Sequence, residues 1–375
     1  MYNILTLNKI AACGTDKFGA GYVCGSDVAD PTGIMVRSAS MHEMELSDST
    51  LAVARAGAGT NNIPVDAYAQ KGVVVFNTPG ANANAVKELV LCGLFMASRK
   101  VGAALDWCKT LKGEGDAVGK LVEKGKSNFA GPEIGGKTLG VVGMGAIGFK
   151  VAKAAEALGM KIVGYDPFLS DAVKAQLSDE TIIVSDINDL FKMSDYITLH
   201  LPLNDATKGT VNKDTLALCK DGVRILNFAR GGLVNSDAII EALGSGKCAA
   251  YVVDFPSDEI IGVDGVTALP HLGASTPESE DNCAMMAADS LIAYIERGEI
   301  INSVNLPNLS GLGEVTANRV CVICAETAVE AVKSALGADA HSAVRKGYGY
   351  VVCDGADESA VGGIDGVIRV RTISK

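Results

Sequence analysis

The chain has four histidines, His42, His200, His271 and His341, and an imidazole is the side chain best suited to carry a proton near neutral pH. His271 follows an apolar run in "ALPHLGAST" (268–276), with glycine and small hydroxyl residues directly behind it. That position permits two readings, a proton carrier at the end of a strand or a structural histidine held by hydrogen bonds. Arg230 stands in a comparable place: it follows the apolar run "VRILNFA" and precedes Gly231 and Gly232. A guanidinium at a strand end, with glycines that let a ligand reach the backbone, suits bidentate binding of a carboxylate. Together such a pair could take a proton from a hydroxyl while holding the anion beside it. His200 ends "YITLHLP", where catalysis and a structural or cofactor-lining role are equally open. His42, in the helix-like stretch "MHEMELSD", reads as surface, and His341 belongs to the last part of the chain. Cys321-x-x-Cys324 lies in "RVCVICAE", which reads as a buried strand. No second pair and no nearby histidine completes a metal site, so no metal is expected.

A second chemical signal is "TLGVVGMGAIGFKVAKAAEALGMKIVGYDP". Gly143-Met144-Gly145-Ala146-Ile147-Gly148 fits G-x-G-x-x-G, a weak pattern alone but one whose flanks agree here. An apolar strand runs into Gly143. A helix follows with Val151, Ala154, Ala155 and Leu158 on one face, and a second strand ends at Asp166, 23 residues after Gly143. In a dinucleotide-binding βαβ unit the first glycine makes the tight turn and the second lets backbone meet a pyrophosphate. The third lets helix approach sheet, and the acid binds the ribose hydroxyls. The helix N-terminus would face the phosphates. Because Asp166 would repel a 2′-phosphate, NAD is expected rather than NADP.

These groups need elements to hold them. "GIMVRS" (33–38), "LAVARAG" (51–57) and "GVVVFNTP" (72–79) read as strands of a small α/β domain. From residue 84 the pattern is helical, with Val86, Leu89, Val90, Gly93, Leu94 and Ala97 at helical spacing. A Gly- and Lys-rich stretch, 112–136, reads partly as loop. A second series of strands then starts at 137–143, 161–166, 181–185, 195–202, 223–229, 249–255 and 266–270, with helical segments between most of them. Alternation of this kind predicts a doubly wound parallel sheet. Residues 277–299 read as a long amphipathic helix with Pro277 in its first turn and Gly298 at its end. "SVNLPNLSG" reads as a linker, followed by a strand, a helix at 326–336, a hairpin and a last strand.

The composition is ordinary for a globular chain, with 48% hydrophobic and 21% charged residues. A net charge of −11 argues against a general nucleic-acid binder. No apolar stretch approaches a membrane span, and no signal peptide is read at the N-terminus. Ten scattered cysteines fit reduced thiols and a cytoplasmic setting better than a disulfide framework.

The segments "NTPGANANAVKEL", "GMGAIG", "HLPLNDATKG", "NFARGGLV" and "PHLGAST" occur in this order. With them the chain resembles the D-isomer-specific 2-hydroxyacid dehydrogenases over roughly residues 30–305. Within that family, "VRS" (36–38), "RAGAGTNNI" (55–63) and "SVNLP" (303–307) resemble the branch acting on D-3-phosphoglycerate. "GIDGVIRVRTI" is similar to the last strand of a regulatory ACT domain. The resemblance implies two doubly wound parallel-sheet domains and a small α+β ACT-like domain. These would be a flavodoxin-like substrate domain (1–88 and 284–305), a Rossmann NAD-binding domain (89–283) and the tail (306–375), with a homodimer as the assembly.

The resemblance also implies roles. Arg230 would hold the substrate carboxylate and keto oxygen, and His271 would be the acid/base. Glu259 would orient the imidazole; counting from the Phe-Pro of "DFPSDE" gives Asp258 instead. NAD would be met by Gly143, Gly145, Ala146, Ile147, Gly148, Asp166, His200, Pro202, Thr207, Phe228, Ala229, Asp254, Gly273 and Ala274, with Asp254 at the nicotinamide carboxamide. Arg37 and Ser38 would meet the phosphorylated end of the substrate, and Gly57, Ala58 and Gly59 its carboxylate. Ala39 stands where a second arginine is sometimes found, so Lys124 or Lys126 is a candidate to assist. The implied reaction is oxidation of D-3-phosphoglycerate to 3-phosphohydroxypyruvate, the entry to serine synthesis. Another D-2-hydroxy acid, or an NAD-sensing interaction protein of the corepressor type, are the alternatives. The strand "RVCVICAE" runs almost directly into the next helix, so the loop that would bind serine in an ACT domain is missing.

Overall fold

A computed structural model describes all residues, 1–375. They divide into two compact units, 1–82 with 276–375, and 83–275. The expected boundaries at 88/89 and 283/284 would each cut a continuous helix, Ala83–Arg99 and Pro277–Arg297. The divisions fall at the ends of those helices instead.

The first unit holds a five-stranded parallel sheet: β1 (Tyr2–Leu7), β2 (Tyr22–Gly25), β3 (Gly33–Val36), β4 (Ala52–Arg55) and β5 (Val74–Phe76), in the order β2-β1-β3-β4-β5. That is the flavodoxin-like order, in which the connections reverse direction between β1 and β3. All four residues of β3 are buried because both sheet faces are covered. Ala287, Ala288, Leu291, Tyr294 and Ile295 of helix Pro277–Arg297 pack on one face, and Met41, Ile63 and Tyr68 on the other. Each large side chain buried this way contributes roughly 2 kcal/mol. The strands β1 and β2 carry little sequence signal, since Ile4 is the one fully buried residue of β1 and β2 has none. Helix Pro277–Arg297 begins as expected. Thr276 accepts from the Ser279 N–H at 3.1 Å with Pro277 in the first turn, and Gly298 ends the helix at φ +71°. His42 lies in a turn rather than a helix.

Residues 303–309 are more than a linker. Asn305 is buried; its Oδ1 accepts from Val75 N–H at 2.9 Å and its Nδ2 donates to the Val73 carbonyl at 2.9 Å. The segment is thereby strapped to the edge strand β5.

The second unit holds a seven-stranded parallel sheet: β6 (Thr138–Val142), β7 (Lys161–Tyr165), β8 (Ile182–Ile183), β9 (Tyr196–Leu199), β10 (Val223–Asn227), β11 (Cys248–Val253) and β12 (Val266–Ala268). Its order, β12-β11-β10-β9-β6-β7-β8, is the Rossmann order extended by one strand, with the switch point between β6 and β9. Helix Ala83–Arg99 packs on it, and Gly93 is where Phe228 approaches: a Cβ there would lie 2.7 Å from the Phe228 ring. The Gly/Lys-rich stretch contains a short helix, Val118–Gly125, which includes Gly119 and Gly125.

The tail folds back on the first unit as an antiparallel sheet of β13 (Arg319–Ala325), β14 (His341–Arg345), β15 (Tyr348–Asp354) and β16 (Val367–Ile373), ordered β14-β15-β13-β16. Helix Val329–Leu336 links β13 to β14 and a 3-10 turn precedes β16. This is the strand order of a split βαβ unit. Only one 3-10 turn, Glu326–Ala328, separates β13 from that helix. Cys321 and Cys324 are both buried but pack into different cores, on opposite faces of β13, so they share no metal site. Buried Arg319 pairs with Asp354 at 2.5 Å and donates to the Arg297 carbonyl at 2.8 Å. Arg371 donates to the Tyr294 and Ile295 carbonyls and lies over the Tyr294 ring. The tail thus supplies guanidinium donors to carbonyls of the last turn of helix Pro277–Arg297, where the Tyr294 carbonyl also accepts from the Gly298 N–H at 2.9 Å. No helix is long and apolar enough to cross a membrane.

Candidate active site

Six chemical groups of the second unit follow the carboxyl ends of successive parallel strands. Along the sheet they run His271 after β12, Asp254 after β11, Arg230 after β10, His200 after β9, the glycine loop after β6 and Asp166 after β7. Adjacent strands lie about 4.8 Å apart, so five steps spread these groups over roughly 24 Å of one sheet edge. Ligands of open α/β sheets bind at that edge, at the switch point.

The glycine loop fits a dinucleotide. Gly143 has φ +91°, and a Cβ there would lie 2.7 Å from the His200 carbonyl oxygen. A Cβ at Gly148 would overlap the Gly143 carbonyl oxygen, whereas Gly145 faces open space. Gly145 caps the 12-residue helix Ala146–Ala157 with no side-chain cap, which leaves the first N–H groups for an anion. Ala146 is exposed and Ile147 half-buried at its start. Asp166 accepts from the Met144 N–H at 2.9 Å through Oδ2 and from the Phe168 N–H at 2.9 Å through Oδ1. Each oxygen keeps a lone pair for a ribose hydroxyl. The residues present therefore fit NAD.

His200 is half-buried, its Nε2 3.0 Å from Thr198 Oγ1. Loss of water around the ring pushes its pKa down to about 3, so it stays neutral at physiological pH. Thr207 Oγ1 donates to the Pro202 carbonyl at 2.6 Å and ties that loop together, with Pro202 exposed. Phe228 packs its ring into the core, so only its backbone is left for a ligand. Ala229 is half-buried and accepts through its carbonyl from Arg230 Nη1 at 2.7 Å.

Around His271 the geometry is tighter. The residue has φ +52°, a strained value for a side chain with a Cβ. Buried Asp254 fixes the loop: Leu272 N–H donates to its Oδ1 at 2.6 Å and Gly273 N–H to its Oδ2 at 2.8 Å. Burial pushes the Asp254 carboxyl up, against the downward pull of those two amides. Half-buried Ala274 follows Gly273 in the same loop. The Phe255 ring contacts both expected catalytic side chains, with its centroid 4.3 Å from the His271 ring and 5.5 Å from Arg230 Cζ.

Neither carboxylate offered as the partner of His271 reaches it: no hydrogen bond or ion pair joins His271 to Asp258 or Glu259. Glu259 is exposed and takes a hydrogen bond from Ser257, which holds its carboxyl below the usual range. It lines a cavity with Gly231, Gly232, Ser236 and Ser257. Phe255 directly follows Asp254, and its aromatic ring occupies the contact with the imidazole.

In the first unit, Arg37 follows β3 and its Nη2 bonds Glu280 Oε1 at 2.6 Å. Asn8 Oδ1 accepts from the N–H groups of Ser38 and Ala39. Gly57 has φ +151°, Ala58 accepts from Asn77 Nδ2 at 2.6 Å, and Gly59 is half-buried. Lys124 and Lys126 lie in the second unit, where Lys126 pairs with Glu123.

Two residues escape the sequence reading. Buried Asn227 donates through Nδ2 to the Arg230 carbonyl at 2.9 Å and shapes that loop. Arg55, at the end of β4, donates to the Arg37 carbonyl at 3.1 Å, and its guanidinium lies against Gly57. Its place in "ARAG", an arginine at a strand end before glycine, parallels "ARGG" and was the available signal.

Residues 91–273 match the D-isomer specific 2-hydroxyacid dehydrogenase, NAD binding domain. A D-3-phosphoglycerate dehydrogenase of Methanocaldococcus jannaschii is 37% identical over 75% of this chain and 53% of its own length. The chain thus spans about half the length of that relative. A hydroxypyruvate reductase of Thermotoga maritima is 39% identical over 66% of this chain and 79% of its own length. Among solved structures, an NAD+-bound 3-phosphoglycerate dehydrogenase of Entamoeba histolytica matches at a TM-score of 0.63 and 27% identity. That match covers 81% of this chain and 98% of the other. With a relative this similar over most of its length, and with the glycine loop, Arg230 and His271 ordered along one sheet edge, the chain belongs to the D-isomer specific 2-hydroxyacid dehydrogenase family.

Proposed function

We propose that the chain oxidises the 2-hydroxyl of D-3-phosphoglycerate to give 3-phosphohydroxypyruvate. The observation that carries this reading is the contact of Phe255 with both His271 and Arg230, on the same sheet edge as the loop that fits NAD. Bound NAD supplies the hydride acceptor. Arg230 holds the substrate carboxylate and the oxygen that becomes the ketone. An imidazole nitrogen of His271 takes the hydroxyl proton and returns it in the reverse direction. Asp254, through Leu272 and Gly273, fixes the backbone that presents His271. Glu259 is the carboxylate assigned to the imidazole in the working site, which requires the 256–262 turn to move. Arg37 and Ser38 meet the phosphate end, and Gly57 to Gly59 the carboxylate.

The tail is read as an ACT-like assembly module without the serine loop, and the chain as a cytoplasmic homodimer. Ten free cysteines support a reducing setting. The Arg37–Glu280 pair supports a second reading, an unphosphorylated D-2-hydroxy acid as substrate, because it occupies the cation meant for phosphate. Steady-state rates of NAD reduction with D-3-phosphoglycerate and with D-glycerate separate the two. A kcat/KM at least tenfold higher for the phosphorylated acid is expected, and equal values would sink the phosphate assignment.

A further inference from the structure

Arg37 stands one residue past β3, at the carboxyl end of the first sheet. Its guanidinium is paired: Nη2 lies 2.6 Å from Oε1 of Glu280. Glu280 sits in the first turn of helix Pro277–Arg297, where the helix dipole favours a negative charge. Both side chains are 42% exposed, so small anions reach the pair from solvent. The Arg37 carbonyl is tied to Arg55, and Asn8 holds the two residues that follow. The backbone that carries Arg37 is therefore fixed, and Glu280 is the only carboxylate paired with it.

A ligand can use Arg37 in two ways. It can displace Glu280, or it can share the five N–H donors of the guanidinium with it. Either way a dianionic phosphate ester works against the Glu280 carboxylate, through lost pairing or through repulsion. A substrate ending in a neutral hydroxymethyl group meets far less of this opposition.

We infer that Glu280 is a specificity-determining residue, which sets the preference between phosphorylated and unphosphorylated 2-hydroxy acids by competing for Arg37. This rests on the proposed reading that Arg37 faces the far end of the substrate.

The test uses the full chain and its Glu280→Gln, Arg37→Ala and doubly substituted variants. For each, kcat/KM is measured for D-3-phosphoglycerate and for D-glycerate, with calorimetric Kd values replacing it wherever turnover is absent. In Glu280→Gln the ratio of the phosphorylated to the unphosphorylated value should rise at least fivefold. The change should come from KM of the phosphorylated acid, with kcat within twofold. Higher ionic strength should shrink it. In the Arg37→Ala background the Glu280→Gln change should leave the ratio where it was.

A flat ratio in Glu280→Gln overturns the inference, as does a rise that persists without Arg37 or an equal loss on both acids with a lower Tm. The two readings fail separately. If the unsubstituted chain prefers D-glycerate but Glu280→Gln still raises the ratio through Arg37, the phosphoglycerate assignment falls and Glu280 stands. If the chain prefers D-3-phosphoglycerate and the ratio does not move, Glu280 falls alone.

Discussion

The Phe255 ring lies 4.3 Å from the His271 imidazole, centroid to centroid, with the planes tilted by 43°. It is a direct neighbour of the acid/base candidate, and it follows Asp254, whose carboxylate holds the next two backbone amides of the His271 loop. Two adjacent residues after β11 thus restrain one imidazole, Asp254 through the backbone and Phe255 through the ring.

Phe255→Leu should therefore misplace the imidazole without emptying the site. An aromatic contact of this kind contributes about 0.5–1.5 kcal/mol, which corresponds to a loss of roughly 2- to 10-fold in kcat. Phe255→Tyr should retain most of the activity. NAD affinity, measured by fluorescence titration, should stay within twofold in both, since the glycine loop lies three strands away in the sheet. A Phe255→Leu enzyme with unchanged kcat would show that the ring does not position His271.

Much of this site is legible in the sequence because strand ends and glycine spacing are local signals. The apolar runs before Gly143 and Arg230 are largely buried, so their ends announce the ligand edge of the sheet, whereas the run before His271 is a short, partly exposed edge strand. What the sequence does not reveal depends on contacts between distant segments. Glu280 meets Arg37 across 243 residues of chain, and the strapping of 303–309 to β5 depends on the amide of buried Asn305 rather than on any pattern. β1 and β2 go unread because their faces are mostly half-exposed. The partner of His271 is ambiguous for a related reason. Counting positions after Asp254 offers Glu259 or Asp258, whereas the side chain that faces the imidazole is Phe255, a contact made by the fold of the loop and not by spacing.

Two glycines of the nucleotide loop, Gly148 and Gly145, should separate in their effects. Gly148→Ala places a Cβ into the Gly143 carbonyl oxygen, and backbone has no room to yield there. A fall in Tm and loss of soluble protein are expected. Gly145→Ala meets nothing within 4 Å, so Tm should remain within about 2 °C of the unsubstituted chain while NAD binding weakens at least tenfold, because the added methyl stands where backbone would meet the pyrophosphate. Calorimetric NAD binding alongside thermal melts checks both. Normal NAD affinity in a stable Gly145→Ala protein would place the cofactor elsewhere.

His200 gives a prediction in pH. Its ring is pushed down to about 3 by loss of solvent, whereas an unfolded histidine titrates near 6.5. Between these values the unfolded chain binds a proton that the folded chain does not, so stability falls as pH falls from about 6.5 toward 3. Above that window the residue contributes no slope. The slope from one such group is at most about 1.4 kcal/mol per pH unit. His200→Gln keeps a polar group beside Thr198 and removes the titration. The variant and the unsubstituted chain should melt at similar temperatures at pH 8, and the variant's Tm should decline less steeply between pH 7 and pH 4. Carboxylates common to both proteins contribute equally and cancel in the comparison. Parallel declines would mean that His200 takes up a proton as freely folded as unfolded, and the neutral imidazole beside the glycine loop would have to be abandoned.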